Sequence, residues 1–357
     1  MRILECNLPD INFKVKVDEN YYEFVEKKVN ESIIPYKKDN EKSIAIEYIV
    51  DSNKFDKILN KINSNTGVIY NSFKKQKHKE VKINGEYYYL VNTEEYIGKK
   101  IDNKNYEIIV KENNDNSANW IIRIIRELYL REKEDKGFFF MHGTSLEINN
   151  NGIMLLGTSG SGKTTLAVKL LELQENKKFL SNDRVFVNNE LVMDYFPQAV
   201  TYAMGTVKNN EKLNRYFKEN RILEKKKKIS YEEAENDIDC NTPLNDIKTT
   251  FENVNMIART KLDYIIYPRF DKNTDKMEVI NMTNHEKEEL LEITNFTPND
   301  TESLRKPWIR KRNIDETEIL ENRKELVKKI IENVRIKKIK YGVNTKAEEI
   351  LRCFKEE

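Results

Sequence analysis

Residues 157 to 165 read Gly157-Thr158-Ser159-Gly160-Ser161-Gly162-Lys163-Thr164-Thr165. They fit G-x-x-x-x-G-K-[ST], a spacing whose chemistry is phosphate binding. The glycines let successive backbone N–H groups turn into one concavity. A helix opening at Lys163 adds unpaired N–H donors and the positive end of its dipole. The Lys163 ammonium would reach the β- and γ-phosphates of a bound nucleotide, and the Thr164 hydroxyl would ligate Mg²⁺. A glycine-rich surface turn could match by chance, but three of the chain's 11 glycines fall inside this loop. The flanks argue the same way. Residues 152–156 are an apolar run with the look of a buried strand, and residues 166–173 read as a helix.

Two further segments bear chemistry. Ser181-Asn182-Asp183-Arg184-Val185 follows Lys163 by one helix and one return connection. That length brings a neighbouring strand back beside the loop, so Asp183 could face the nucleotide. Met141-His142-Gly143 precedes a strand at 144–148, a turn at 149–152 and the returning strand of the loop. The spacing predicts an antiparallel hairpin that feeds directly into the phosphate loop. The bland readings stand beside these: a capping or ion-paired Asp183 and a structural His142. His78 and His285 carry no motif.

In order and spacing, Met-His-Gly, the phosphate loop and Ser-Asn-Asp-Arg-Val resemble the HPr kinase/phosphorylase superfamily. Its catalytic domain carries a Met-His-Gly strand start, a phosphate loop and an Asp-Asp-Arg-Val segment. The chain looks closer still to the HPr-kinase-like peptide serine kinases of ribosomal peptide pathways, which often carry Ser-Asn-Asp-Arg. The resemblance spans residues 138–207 well, with weaker echoes beyond. It implies transfer of the γ-phosphate of ATP, or of GTP, to a Ser or Thr hydroxyl of a peptide or small protein. Lys163 matches the phosphate-binding lysine and Thr164 the Mg²⁺ ligand. Asp183 matches the base that accepts the hydroxyl proton, also placed near the metal, and His142 a catalytic histidine beside it. A protonated His142 could pair with Asp183 or stabilise transferred charge. Arg184 could contact phosphate or brace Asp183. Arg269, after Pro268, matches the late arginine near the transferred phosphate, with Arg259 as its rival. The family's rings of subunits imply a homo-oligomer.

The departures are specific. Asn182 stands where the founding enzymes have their first aspartate, and residues 199–207 lack the later glutamate used for Mg²⁺. Glu190 or Asp194 could substitute. The reverse, phosphate-removing reaction and HPr itself as substrate are therefore not implied. Two other functions compete: a kinase for a small metabolite such as serine or a sugar, and a nucleotide-dependent binding protein without phosphotransfer.

These residues need a scaffold. The expectation is an α/β fold: a P-loop catalytic domain at 138–357, its mixed sheet entered by a hairpin, preceded by a smaller, mainly β domain at 1–115. A period-two run at 11–17 and strand-like segments at 43–50, 81–83, 85–91 and 106–110, with Asn84-Gly85 as a hairpin signal, support that domain, which could hold the substrate. A helix at 116–137 would link the two, with Ile121, Ile124, Ile125, Leu128 and Tyr129 on one stripe, Arg123, Arg126 and Arg131 mostly off it, and Asn119 or Ser117 as cap. Residues 208–248, rich in charge and Asn, read as a mobile, solvated insertion. Strands at 261–270 and 335–341, a pairing strand at 276–280 and helices at 284–293, 316–334 and 344–354 complete the pattern. Across 357 residues, 62 Lys and Arg nearly cancel 60 Asp and Glu, so nothing global argues for nucleic acid. No apolar run is long enough for a membrane, and no apolar segment follows the N-terminus as in a signal peptide. Cys6, Cys240 and Cys353 are few and scattered, which suits a reducing compartment; a cytoplasmic location is expected.

Overall fold

Ile11, Phe13, Val15 and Val17 alternate with polar residues, and in the structure each is fully buried while its neighbours are not. The structure, a computed structural model, describes residues 1–37, 42–71, 77–91, 96–274, 276–297 and 312–352. It is a mixed α/β protein with mixed and antiparallel sheets. Two units emerge: Met1–Lys136 with Thr297–Glu318, and Gly137–Phe296 with Ile319–Glu357.

The first unit carries β1 (Arg2–Leu8), β2 (Ile11–Val17), β3 (Ser43–Val50), β4 (Val68–Asn71), β5 (Lys77–Ile83), β6 (Glu86–Val91), β7 (Ile97–Lys100) and β8 (Asn105–Val110). They form one sheet in the order β1-β2-β3-β8-β7-β6-β5-β4. The β2–β3 and β3–β8 pairs are parallel and the rest antiparallel. Parallel neighbours need crossovers, and these are two helices the strand reading passed over, α1 (Tyr22–Asn30) and α2 (Ser52–Asn63). Their apolar residues are sparse, but Phe55, Leu59 and Ile62 lie on one face and pack with Val81, Leu90 and Ile109. The expected linking helix is α3 (Asp115–Asp135), and it belongs to this unit. Its predicted stripe is buried as expected. Its cap is Asn114, in a capping box with Ser117, five residues before Asn119. Arg131 is not off the stripe in solvent. It is fully buried, because Glu127 (3.2 Å) and Glu134, one turn to either side, neutralise it.

The second unit holds β9 (Phe139–Met141), β10 (Gly143–Ile148), β11 (Asn151–Leu156), β12 (Lys177–Ser181), β13 (Val185–Val187), β14 (Val192–Tyr195), β15 (Val200–Ala203), β16 (Asp239–Thr242), β17 (Val254–Met256), β18 (Arg259–Lys261), β19 (Tyr264–Phe270), β20 (Glu278–Ile280) and β21 (Arg335–Tyr341). Its helices are α4 (Lys163–Leu171), α5 (Met204–Lys208), α6 (Glu211–Glu219), α7 (Ile222–Lys227), α8 (Asp246–Thr250), α9 (Asn284–Thr294), α10 (Glu316–Asn333), whose first turn falls in the other unit, and α11 (Ala347–Arg352). The central sheet runs β17-β12-β10-β11-β19-β21-β20. The expected hairpin is there: β10 and β11 pair antiparallel. Asn149 and Asn150 both take positive φ at its turn, as a two-residue loop that follows strand twist demands. β10 also pairs with β12, so the strand returning from α4 lies one place away from the loop strand and not beside it. Leu166, Leu170 and Leu173 pack down on Leu146, Leu155, Ile266 and Ile339.

A second, four-stranded sheet, β18-β14-β13-β9, stands next to the central one. Here Asp194, fully buried, receives two hydrogen bonds from Arg259, Nε to Oδ1 at 2.6 Å and Nη2 to Oδ2 at 2.7 Å. Residues 208–248 are a folded wall and not a loose insertion. β15 and β16 pair, and Leu213, Phe217, Leu223, Cys240 and Ile247 are buried. The charge that suggested solvation lies on the outer faces of short helices. Of the late helix expected to 354, α11 is described, and Cys353 and Phe354 lie outside the described residues.

Removing one partner of a buried ion pair leaves an uncompensated charge. Arg259→Gln is expected to lower unfolding free energy in urea by about 3 kcal/mol. Adding Asp194→Asn should recover part of it; a double variant no more stable than the single would contradict the account.

Candidate functional site

The phosphate loop leaves the end of β11 and enters α4 at Lys163. Gly162 caps the helix at φ 96°, in the left-handed region, and a Cβ there would lie 2.5 Å from the Tyr341 hydroxyl and 2.8 Å from Phe270 Cβ. Only glycine suits that position. The Tyr341 hydroxyl donates to the Gly162 carbonyl at 2.7 Å, and Phe270 N–H donates to the Ser161 carbonyl at 3.1 Å. Two strands of the central sheet thus hold the loop from beneath. Lys163 is buried, and its Nζ donates to the carbonyls of Gly157 (2.8 Å) and Thr158 (3.0 Å).

His142 and Asp183 meet at a corner. β9 belongs to the four-stranded sheet and β10 to the central one, and His142 is the residue between them. β12 and β13 make the same change of sheet in the opposite sense, with Asn182, Asp183 and Arg184 between them. Met141 pairs with Val185 on one side of the corner and Ser145 with Ser181 on the other. The geometry therefore sets His142 against Asp183: Nε2 lies 3.1 Å from Oδ1. Asp183 itself takes φ 64°, a left-handed backbone that Asp tolerates better than most residues. Arg184 N–H donates to the Asn182 carbonyl at 2.7 Å across it, a tight three-residue turn. Ser181 braces the turn by donating to the Arg184 carbonyl and accepting from Phe196 N–H at 3.1 Å.

Around the Asp183 carboxylate, Arg184 Nη1 lies 2.9 Å from Oδ2 and Gln198 Nε2 donates to Oδ2 at 3.3 Å. Burial pushes this carboxyl upward, but the His142 hydrogen bond, the Arg184 charge and Gln198 outweigh it, and the pKa falls to about 2. Arg184 is committed to bracing. Its guanidinium also sits 4.6 Å from the Phe296 ring centre, and Phe296 stacks on His142 at 5.3 Å. Phe296 is a supporting residue the sequence did not flag, because it comes from beyond α9.

One cavity of about 610 Å³ joins these groups. Ser159, Gly160, Gly162, Lys163, Thr164 and Thr165 line it with His142 and Asp183. Gly157, Thr158 and Ser161 complete the loop without lining the cavity. Asn182 is buried, and its Oδ1 accepts from Thr144 (3.2 Å) and Thr164 (3.4 Å) hydroxyls. The structure does not bring Arg269 here; it is exposed near the end of β19, and Phe270 and Lys272 from that strand end line the cavity instead. Arg259 is spent on Asp194, and Glu190 lies in the exposed turn between β13 and β14; neither lines the cavity, nor does Asp194. The cavity's other carboxylates are Glu172, which accepts from Asn210 at 2.7 Å, and Asp239 on β16, opposite Ala203. Sequence spacing missed Asp239 because a cross-strand neighbour 36 positions away has no local signature.

Among the described residues no three His, Cys, Asp or Glu side chains converge on one point. The donors available near the loop are oxygens: the Thr164 hydroxyl, the Asn182 amide oxygen and the Asp183 carboxylate. Such a set suits Mg²⁺, which keeps waters and phosphate ligands of its own. Among the described residues no helix is long and apolar enough to cross a membrane. No family model matches the chain, and no curated protein matches it.

The depressed Asp183 pKa ties stability to pH. The native state holds this carboxylate ionised more firmly than the unfolded chain, where its pKa is near 3.9. Its contribution is complete above about pH 4 and is lost as pH falls toward about 2. The side chain is 35% exposed, so screening trims the effect to on the order of 1 kcal/mol. Urea unfolding of the protein and of Asp183→Asn should show a stability difference that moves by that amount as pH falls from about 5 to about 2. A pH-independent difference would contradict it.

Proposed function

We propose that this protein is an ATP-dependent kinase that transfers the γ-phosphate to a Ser or Thr hydroxyl of a peptide or small protein. One observation carries the reading: an ionised Asp183, oriented by His142 and Arg184, lines the same cavity as the phosphate loop. Phosphoryl transfer asks the protein for positioning and charge neutralisation more than for covalent chemistry. The loop's N–H groups would take the phosphates, and Lys163 would exchange its two carbonyl contacts for the β- and γ-oxygens. When bound, Mg²⁺ supplies charge neutralisation at the β- and γ-phosphates; Thr164, Asn182 and Asp183 are the residues that would hold it. Asp183 would accept the hydroxyl proton. A pKa of about 2 makes it a weak base, which suits a loose transition state in which the nucleophile needs orientation more than early deprotonation. His142, donating to Asp183, fixes the direction of that carboxylate. The resemblance to HPr-kinase-like peptide serine kinases favours a peptide acceptor.

A second reading has its own observation. Asn182 presents a neutral amide to Thr164, which weakens metal binding and favours a nucleotide-dependent binding protein without transfer.

The test is transfer from γ-labelled ATP to candidate peptides, small proteins and free serine, read by intact mass. Lys163→Ala and Asp183→Ala are each expected to reduce transfer at least ~100-fold, and Asp183→Ala should leave ATP affinity within about threefold. Nucleotide binding with no acceptor gaining mass would shift the conclusion to the binding protein, and transfer to serine alone to a metabolite kinase.

A further inference from the structure

Three lysines line the cavity. Lys163 rests on the loop carbonyls, and Lys169 Nζ donates to the carbonyls of Val343 (2.7 Å) and Thr345 (3.1 Å), tying α4 to the turn after β21. Lys272 makes no ion pair or hydrogen bond among the described residues, and among them no arginine lines the cavity. Yet the turn that carries Lys272 is firmly placed. Phe270 N–H is bonded to the phosphate loop at Ser161, two residues before Lys272. Asp271 N–H donates to the Tyr341 carbonyl at 2.9 Å, and the Asp271 carboxylate pairs with Lys340 at 3.0 Å. Asn273 N–H donates to Asp271 Oδ1 at 2.9 Å and Thr274 N–H to the Asp271 carbonyl at 3.2 Å. Gly342 lets this turn lie flat on β21, since a Cβ there would stand 1.8 Å from the Thr274 carbonyl oxygen.

A cation left uncommitted on a rigid turn, hydrogen-bonded to the phosphate loop and opening into its cavity, has one evident use. We propose that Lys272 binds the terminal phosphate of the nucleoside triphosphate, the role for which the sequence offered Arg269. The inference rests on the nucleotide-binding part of the reading above and is independent of the acceptor. The terminal phosphate carries the greatest charge beyond the reach of the loop N–H groups, and positive charge there stabilises what develops during transfer.

The experiment is calorimetric titration with Mg²⁺ and either ADP or the β,γ-imido analogue of ATP, which cannot be turned over. Wild type, Lys272→Gln, Lys272→Arg and Arg269→Gln are compared. Lys272→Gln should weaken the triphosphate about tenfold and the diphosphate less than twofold, as expected for one charge-assisted contact. Lys272→Arg should stay within about threefold of wild type, and Arg269→Gln should change neither nucleotide. Unaltered thermal unfolding of Lys272→Gln will show that the turn holds without it. Equal losses for both nucleotides, or none, would overturn the role of Lys272 while leaving nucleotide binding standing. Failure of wild type to bind either nucleotide would overturn the proposed function and this inference together.

Discussion

The corner at Asp183 carries the site. Two strand pairs leave one sheet and enter the other at the same level, and the residues at the two crossings are His142 and Asp183. The strand ladders break at this corner, where His142 N–H donates to the Thr294 carbonyl at 2.7 Å and side chains add the remaining braces. Ser181 bridges Arg184 and Phe196, Arg184 holds the Asp183 carboxylate, and Phe296 backs both His142 and Arg184. The left-handed backbone at Asp183 is tolerable because this ring of contacts over-determines it. Strain of this kind turns a carboxylate toward a cavity that an ordinary strand residue would not face.

The phosphate loop depends on the same sheet by a different route. Tyr341 from β21 adds a second donor to the Gly162 carbonyl, which also accepts from Leu166 N–H of α4, and Phe270 from β19 satisfies the Ser161 carbonyl. Those strands are parallel to β11, so their carboxyl ends arrive at the loop together. The turn bearing Lys272 therefore sits where it does because β19 ends where β11 ends.

Charge within the cavity is economical. Outside it Asp194 is paired with Arg259, and within it Glu172 accepts from the neutral Asn210 amide. Asn182 lowers the negative charge beside Thr164, and the amide still accepts from two hydroxyls. Asp239 adds a carboxylate from β16, across from Ala203.

The sequence by itself determined the phosphate loop, its strand and helix, the hairpin that enters it and most later strands and helices of that unit. Those features are local: glycine spacing, apolar runs and turn residues act over a few positions, and their physics is complete within them. It also pointed to His142 and Asp183 as chemistry-bearing residues, though only through motif order. Tertiary structure alone decided that the two touch, that Arg184 pairs with Asp183, and that Lys272 and not Arg269 lines the cavity. Residues 208–248 escaped for a related reason. Their buried residues are too sparse and their helices too short to show periodicity through the charge, and only pairing of β15 with β16, across 36 positions, gives them a core. Helices α1 and α2 were hidden likewise, because parallel strand order, invisible in any one segment, is what requires them.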